Sequence, residues 1–216
     1  MRSRASLEST INALRKAGEQ TVEAIKAYSE LTVGREDNPN VLVAAGKLAM
    51  STPNGLSTAL ELLGEALVLD PDLHEARAFL ALAELQSGLS ESGLETAASL
   101  AFTAPDFTFK TRLGLPTSAQ TVLGDALFRN NRPREAVAAY ERAIKIEPHD
   151  QHAIKRLVSL YLTNGQASAA VGLLGRIEET DENRTLISAV RLAANDPARL
   201  PSISGVASIL YRLPVV

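Results

Sequence analysis

Sliding the 216-residue chain against itself brings out a spacing of 34 residues, and that spacing limits the fold more than any other feature. Leu123, Leu127, Ala136, Tyr140, Ala143 and Pro148 lie 34 positions before Leu157, Tyr161, Ala170, Leu174, Ile177 and Glu182. Pro71 and Pro105 are also 34 apart, while Pro105 and Pro148 are separated by 43, one period plus nine inserted residues. A period of this size marks stacked supersecondary units, none of which can bury its apolar face alone.

Each unit reads as two helices. Val122, Leu123, Ala126 and Leu127 recur at helical spacing within Ala119–Phe128. Asn130-Asn131-Arg132-Pro133 then breaks the chain, because Asn tolerates turn conformations and Pro suits a helix's first turn. Glu135–Ile146 resumes with Ala136, Ala139, Tyr140, Ala143 and Ile146 on one stripe, and Glu147-Pro148 ends it. Helices of about 12 residues are roughly 18 Å long.

Leu123-Gly124-x-x-Leu127, followed by Ala136, Tyr140, Ala143 and Pro148, resembles the tetratricopeptide repeat. The small residues have a physical role. Gly124 and Ala136 let paired helices approach, Ala143 admits the next unit, and Tyr140 fills the gap. The sequence departs from the family pattern at Gln120, where a bulky aromatic is usual, and at Leu127 in place of Tyr. Further copies span 39–73, 74–107 and 151–184, and residues 1–38 read as a worn first helix pair. The resemblance implies an all-α, right-handed solenoid of about four to five stacked antiparallel helix pairs, with residues 185–216 forming a capping helix and an apolar tail.

Two segments interrupt the array. Residues 106–116 (Asp-Phe-Thr-Phe-Lys-Thr-Arg-Leu-Gly-Leu-Pro) carry the insertion. They read either as a loop between repeats or as a segment that bends the array or reaches into its groove. Residues 202–216 are the second break: Arg212 is the one charge among Ile203, Val206, Ile209, Leu210, Leu213, Val215 and Val216. That tail folds back over the last repeat, provides a self-association surface, or belongs to a longer protein.

Composition closes off several function classes. With no Cys, disulfides and thiol catalysis are excluded. A net charge of −3, 4% aromatic residues and no Trp argue against a nucleic-acid partner. No run approaches the 18 apolar residues that a membrane span needs, and the start of the sequence has no leader-like apolar stretch, so the expected location is the cytoplasm. The charge is uneven, at −7 for residues 1–108 and +4 for 109–216. His149-Asp150-Gln151-His152 is read as a solvated turn and helix cap rather than a metal site, since nothing nearby completes a ligand set. Ala44-Ala-Gly-Lys47 lacks the spacing of a phosphate loop, and Gly172-Leu-Leu-Gly175 reads as close packing within a helix. No catalytic residue and no cofactor are expected.

Binding is what remains. The resemblance implies that the first helix of each pair lines a concave groove, presenting Lys47, Leu82, Leu85, Asp125, Phe128, Arg129, His152, Lys155 and Ser159, with Arg156 beside them. An apolar strip (Leu82, Leu85, Phe128, Leu162) next to a basic cluster (Arg129, Lys155, Arg156) suits a partner peptide or helix that carries apolar and acidic residues. The expected function is a non-enzymatic scaffold or adaptor for another protein. Self-assembly through the apolar C-terminus, or service as the regulatory module of a larger protein, are the alternatives. A clamp for chaperone C-terminal carboxylates is not expected, because only His152 and Arg156 match any part of its residue set.

Overall fold

A computed structural model describes residues 38–51, 54–181 and 183–195. The expected helix pair in 1–38 and the apolar tail from 202 onward therefore lie outside the described residues, apart from Asn38. The chain divides into two compact units, Met1–Ala104 and Pro105–Val216.

In the first unit, α1 (Pro39–Ala49) pairs with α2 (Leu56–Leu69), and α3 (His74–Gln86) pairs with α4 (Ser90–Thr103). Helix α3 packs against α1, α2 and α4. Surrounded on three sides, it buries Phe79, Leu82 and Leu85, which join Leu42, Leu62, Leu63 and Leu100 in the core. In the second unit, strands β1 (Thr108–Lys110) and β2 (Pro116–Ser118) lead into α5 (Ala119–Arg129) and α6 (Pro133–Ile146). Helices α7 (Gln151–Thr163), α8 (Ala167–Gly172) and α9 (Arg184–Asn195) follow. Helix α7 packs on α6, α8 and α9, and its Ile154, Val158 and Leu162 share a buried cluster with Leu186, Ile187 and Val190.

Helix starts and stops follow from local chemistry. Asn38, Ser118 and Asp150 cap α1, α5 and α7, their side chains accepting from the backbone N–H of Asn40, Thr121 and Ala153. Pro39 and Pro133 occupy first turns, where a missing N–H has no partner to lose. The turns inside three successive pairs share one design. Gly88, Asn131 and Gly165 adopt left-handed φ values of 83, 56 and 71°. The next residue's N–H then reaches back five positions, from Leu89 to Glu84, Arg132 to Leu127 and Gln166 to Tyr161. This closes the orphan carbonyls of each first helix.

Close approach within a pair depends on glycine at one repeat position. A Cβ on Gly124 would lie 2.5 Å from the Tyr140 ring, and one on Gly46 would lie 2.7 Å from the Leu63 side chain. Leu63 and Tyr140 are themselves equivalent, so each pair interlocks a gap with a large side chain. Gly64, inside α2, meets nothing within 4 Å. Gly64→Ala should therefore stabilise the protein by about 0.5–1 kcal/mol through helix propensity alone, read as a higher urea midpoint. A loss of stability would show that the glycine is needed for contact.

Two expectations are corrected. The insertion is not an irregular loop but a β-hairpin in which Thr108 pairs with Ser118 and Lys110 with Pro116. Thr111 and Leu115 close its tip, with Gly114 at φ 77° supplying the left-handed position of a three-residue turn. The reading of Gly172-Leu-Leu-Gly175 as mid-helix packing also fails. Helix α8 ends at Gly172, a short 3-10 turn covers Leu174–Arg176, and neither glycine has a neighbour within 4 Å of a Cβ position. Two glycines three apart weaken a helix that no close contact compensates.

Candidate functional site

The polar interior of the second unit is built from α5, α6 and α7. Asp125 points from α5 into a fully covered position, where the Tyr140 hydroxyl of α6 donates to it at 2.5 Å. From α7, His152 Nε2 lies 2.9 Å from both carboxylate oxygens, and Arg156 Nε lies 3.3 Å from one. His152 and Arg156 sit one helical turn apart, so both reach the same carboxylate. The Arg156 guanidinium also lies over the Phe128 ring, 5.4 Å from its centroid.

Burial by itself would raise the Asp125 pKa, but the charges of His152 and Arg156 and the hydrogen bonds outweigh it and lower the value to about 2. The sign of the pH effect follows. Because the folded pKa is depressed below 3.8, the stabilisation is complete above that value and is lost as pH falls through about 2. Between pH 4 and pH 2 the native protein should lose about 2 kcal/mol more than Asp125→Asn does, measured by urea unfolding at each pH. Parallel pH profiles would refute the charge pairing. Asp150 titrates with the opposite sign, since burial raises its pKa, but it is present in both proteins and cancels in the comparison.

Asp150 itself forms a second buried knot. It accepts from the Thr117 hydroxyl at 2.9 Å and the Thr121 hydroxyl at 2.6 Å, and caps α7 through the Ala153 N–H at 2.9 Å. One carboxylate thus fastens the end of the hairpin to the start of two helices. Its partners explain the His149–His152 segment: Asp150 is a cap, and His152 turns to Asp125.

The structure separates the expected groove residues into three groups. Leu82, Leu85, Leu162 and Ser159 are buried, which corrects their reading as exposed groove contacts. The cause is enclosure of α3 and α7 by their neighbours, and Leu85 in particular packs against Gly93. Asp125 and Arg156 are buried as an ion pair, so Arg156 is not a cation held ready for a partner. Lys47, in the first unit, is half-buried, bonded to Glu75 at 2.8 Å and placed 4.5 Å from the centroid of the Phe79 ring. Within the second unit, Phe128, His152 and Lys155 are half-buried and Arg129 is exposed, so these four retain access to solvent. The Ser159 hydroxyl has no hydrogen-bond partner among the described residues. The sequence reading missed Tyr140 as the donor to Asp125 and Thr117 and Thr121 as donors to Asp150.

Among the described residues, no group of three or more His, Cys, Asp or Glu could hold a metal ion. No helix among them is long and apolar enough to cross a membrane.

Antiparallel helix pairs whose inner turns share one design define a helical-repeat fold. Residues 127–194 match the sequence model of the tetratricopeptide repeat, and the fold is similar to the all-α solenoid of solved proteins that carry this repeat. No curated protein matches the sequence. Among solved structures, it is similar to YrrB, described as a TPR protein with an unusual peptide-binding site. That likeness has 15% identity and a TM-score of 0.59, covering 86% of this chain and 93% of YrrB. A thermophilic TPR protein of Thermus thermophilus, TTC0263, is 21% identical with a TM-score of 0.56, covering 82% of this chain and 92% of its own. MamA is 22% identical with a TM-score of 0.56, covering 71% of this chain and 84% of its own.

Proposed function

We propose that the protein is a non-enzymatic scaffold that holds a partner segment against α5 and α7. The observation that carries this reading is the pairing of a rigid, buried base with an accessible rim. Asp125, Tyr140 and Arg156 fix the two helices, while Phe128, Arg129, His152 and Lys155 remain open to solvent above them. Phe128 offers an apolar contact and Arg129 and Lys155 offer positive charge, which fits a peptide or helix with an apolar anchor beside acidic residues. In the first unit, Lys47 is a separate candidate contact. The peptide-binding site named for YrrB supports the reading by analogy of fold.

The test uses a peptide array in which one Leu or Phe is flanked by Asp and Glu, followed by fluorescence anisotropy on the best binders. Arg129→Ala with Lys155→Ala should weaken the best binder about tenfold, and added salt should weaken the parent in the same direction. If the double variant binds every selected peptide as tightly as the parent, this face is not the seat.

A further inference from the structure

We propose that the protein also assembles head to tail with copies of itself, the tip of the 107–118 hairpin of one copy docking on the outer face of α2 and α4 of the next. Among the described residues two exposed surfaces have complementary chemistries. At the hairpin tip, Leu113 is 85% exposed and Leu115 54%. Lys110, exposed on the strand that leads to the tip, supplies positive charge, and residues 107 to 118 contain no Asp or Glu. On the first unit, Val68 is 82% exposed and Phe102 87%. These two are 34 residues apart, so they hold the same position near the ends of α2 and α4. Glu61 and Glu95, also 34 apart, lie two turns earlier on the same stripes and are exposed.

Neither α2 nor α4 carries a Lys or Arg, and residues 38–104 hold eight carboxylates against two cations. An apolar pair beside acid thus awaits an apolar pair beside base. Repetition of large exposed side chains at one repeat position distinguishes this face from single scattered hydrophobics, which need no explanation. A basic, apolar tip would also suit an anionic bilayer, but a bilayer would leave the acidic, apolar face bare. A second copy accounts for both surfaces. Because the two patches differ, the contact is heterologous rather than two-fold, so a dimer still carries one tip and one face. The tip is small, so association is weak and rises with concentration. This inference draws on neither α5 nor α7, and it stands or falls apart from the peptide seat.

The experiment is sedimentation of the full chain over about 5 to 500 µM, a range set by the weak affinity expected of a small interface. The parent should grow in mass with concentration, and raising salt should weaken this at least about threefold as the charges are screened. Leu113→Ser/Leu115→Ser removes the tip, and Val68→Ser/Phe102→Ser removes the face. All four residues are exposed, so circular dichroism and the thermal midpoint should be unchanged. Each variant alone should associate at least about tenfold more weakly than the parent, the loss of buried apolar side chains being the cause. An equal mixture of the two should form 1:1 dimers and nothing larger, because only one intact tip and one intact face remain. A parent that stays monomeric, variants that associate as the parent does, or a mixture that fails to pair would each overturn the proposal. So would a monomeric parent that binds phosphatidylserine vesicles through Leu113 and Leu115, which would assign the tip to a bilayer.

Discussion

Asp125→Ala should lower the free energy of unfolding by about 3–5 kcal/mol, read from urea denaturation at neutral pH. The loss is large because of what remains behind. Arg156 is 3% exposed, so its guanidinium is held away from water. Arg156 would sit buried with the carboxylate it pairs with gone. The Tyr140 hydroxyl, which donates to Asp125 at 2.5 Å, would lose its acceptor at the same time. A companion variant separates charge from packing. Asp125→Ala/Arg156→Met removes both members of the pair and should recover much of the stability, since apolar replacement of a buried ion pair is often neutral or better. A loss below about 1 kcal/mol for Asp125→Ala would show that solvent, not the carboxylate, holds Arg156.

Gly124→Val should cost about 3 kcal/mol, near the upper end for overpacking. Helix propensity favours valine over glycine inside α5, so any destabilisation must come from collision. The first added carbon alone would stand 2.5 Å from a ring atom of Tyr140. That ring is wholly buried and pinned by its hydroxyl to Asp125, so it has nowhere to turn. A double-mutant cycle is the sharper measurement. On a Tyr140→Ala background, Gly124→Val should cost far less than in the parent, giving a coupling energy of at least about 1 kcal/mol. Additive losses would mean that valine damages the helix itself and not its fit to α6.

Much of this architecture is legible in the residues because it rests on periodic and local causes. The 34-residue spacing, the break at Asn130–Pro133 and the stop at Glu147 each follow from turn chemistry or apolar spacing, and the helices run as those signals require. The hairpin escapes a reading tuned to helical spacing, although Phe107-Thr-Phe-Lys110 alternates apolar and polar residues, the signature of a strand. Its helix-averse composition marks only a break, whereas its period of two identifies the strand. The site is harder to read. Family positions indicate which side chains face the groove, but not how deeply neighbouring helices cover them. Leu82, Leu85 and Ser159 vanish into the interior for that reason. Arg156 reads as a surface charge until the carboxylate opposite is known. That partner lies 31 residues away on another helix, so no local pattern reveals the pair.

The short α8 bears on how the protein comes apart. Six residues give barely two turns, against the 14 of α2, α4 and α6. In an array held together only by nearest neighbours, a stunted rung weakens the grip on both sides of it. Opening events should start at this rung and spread outward, leaving the Asp125 and Asp150 knots as the last amides in their unit to exchange with solvent.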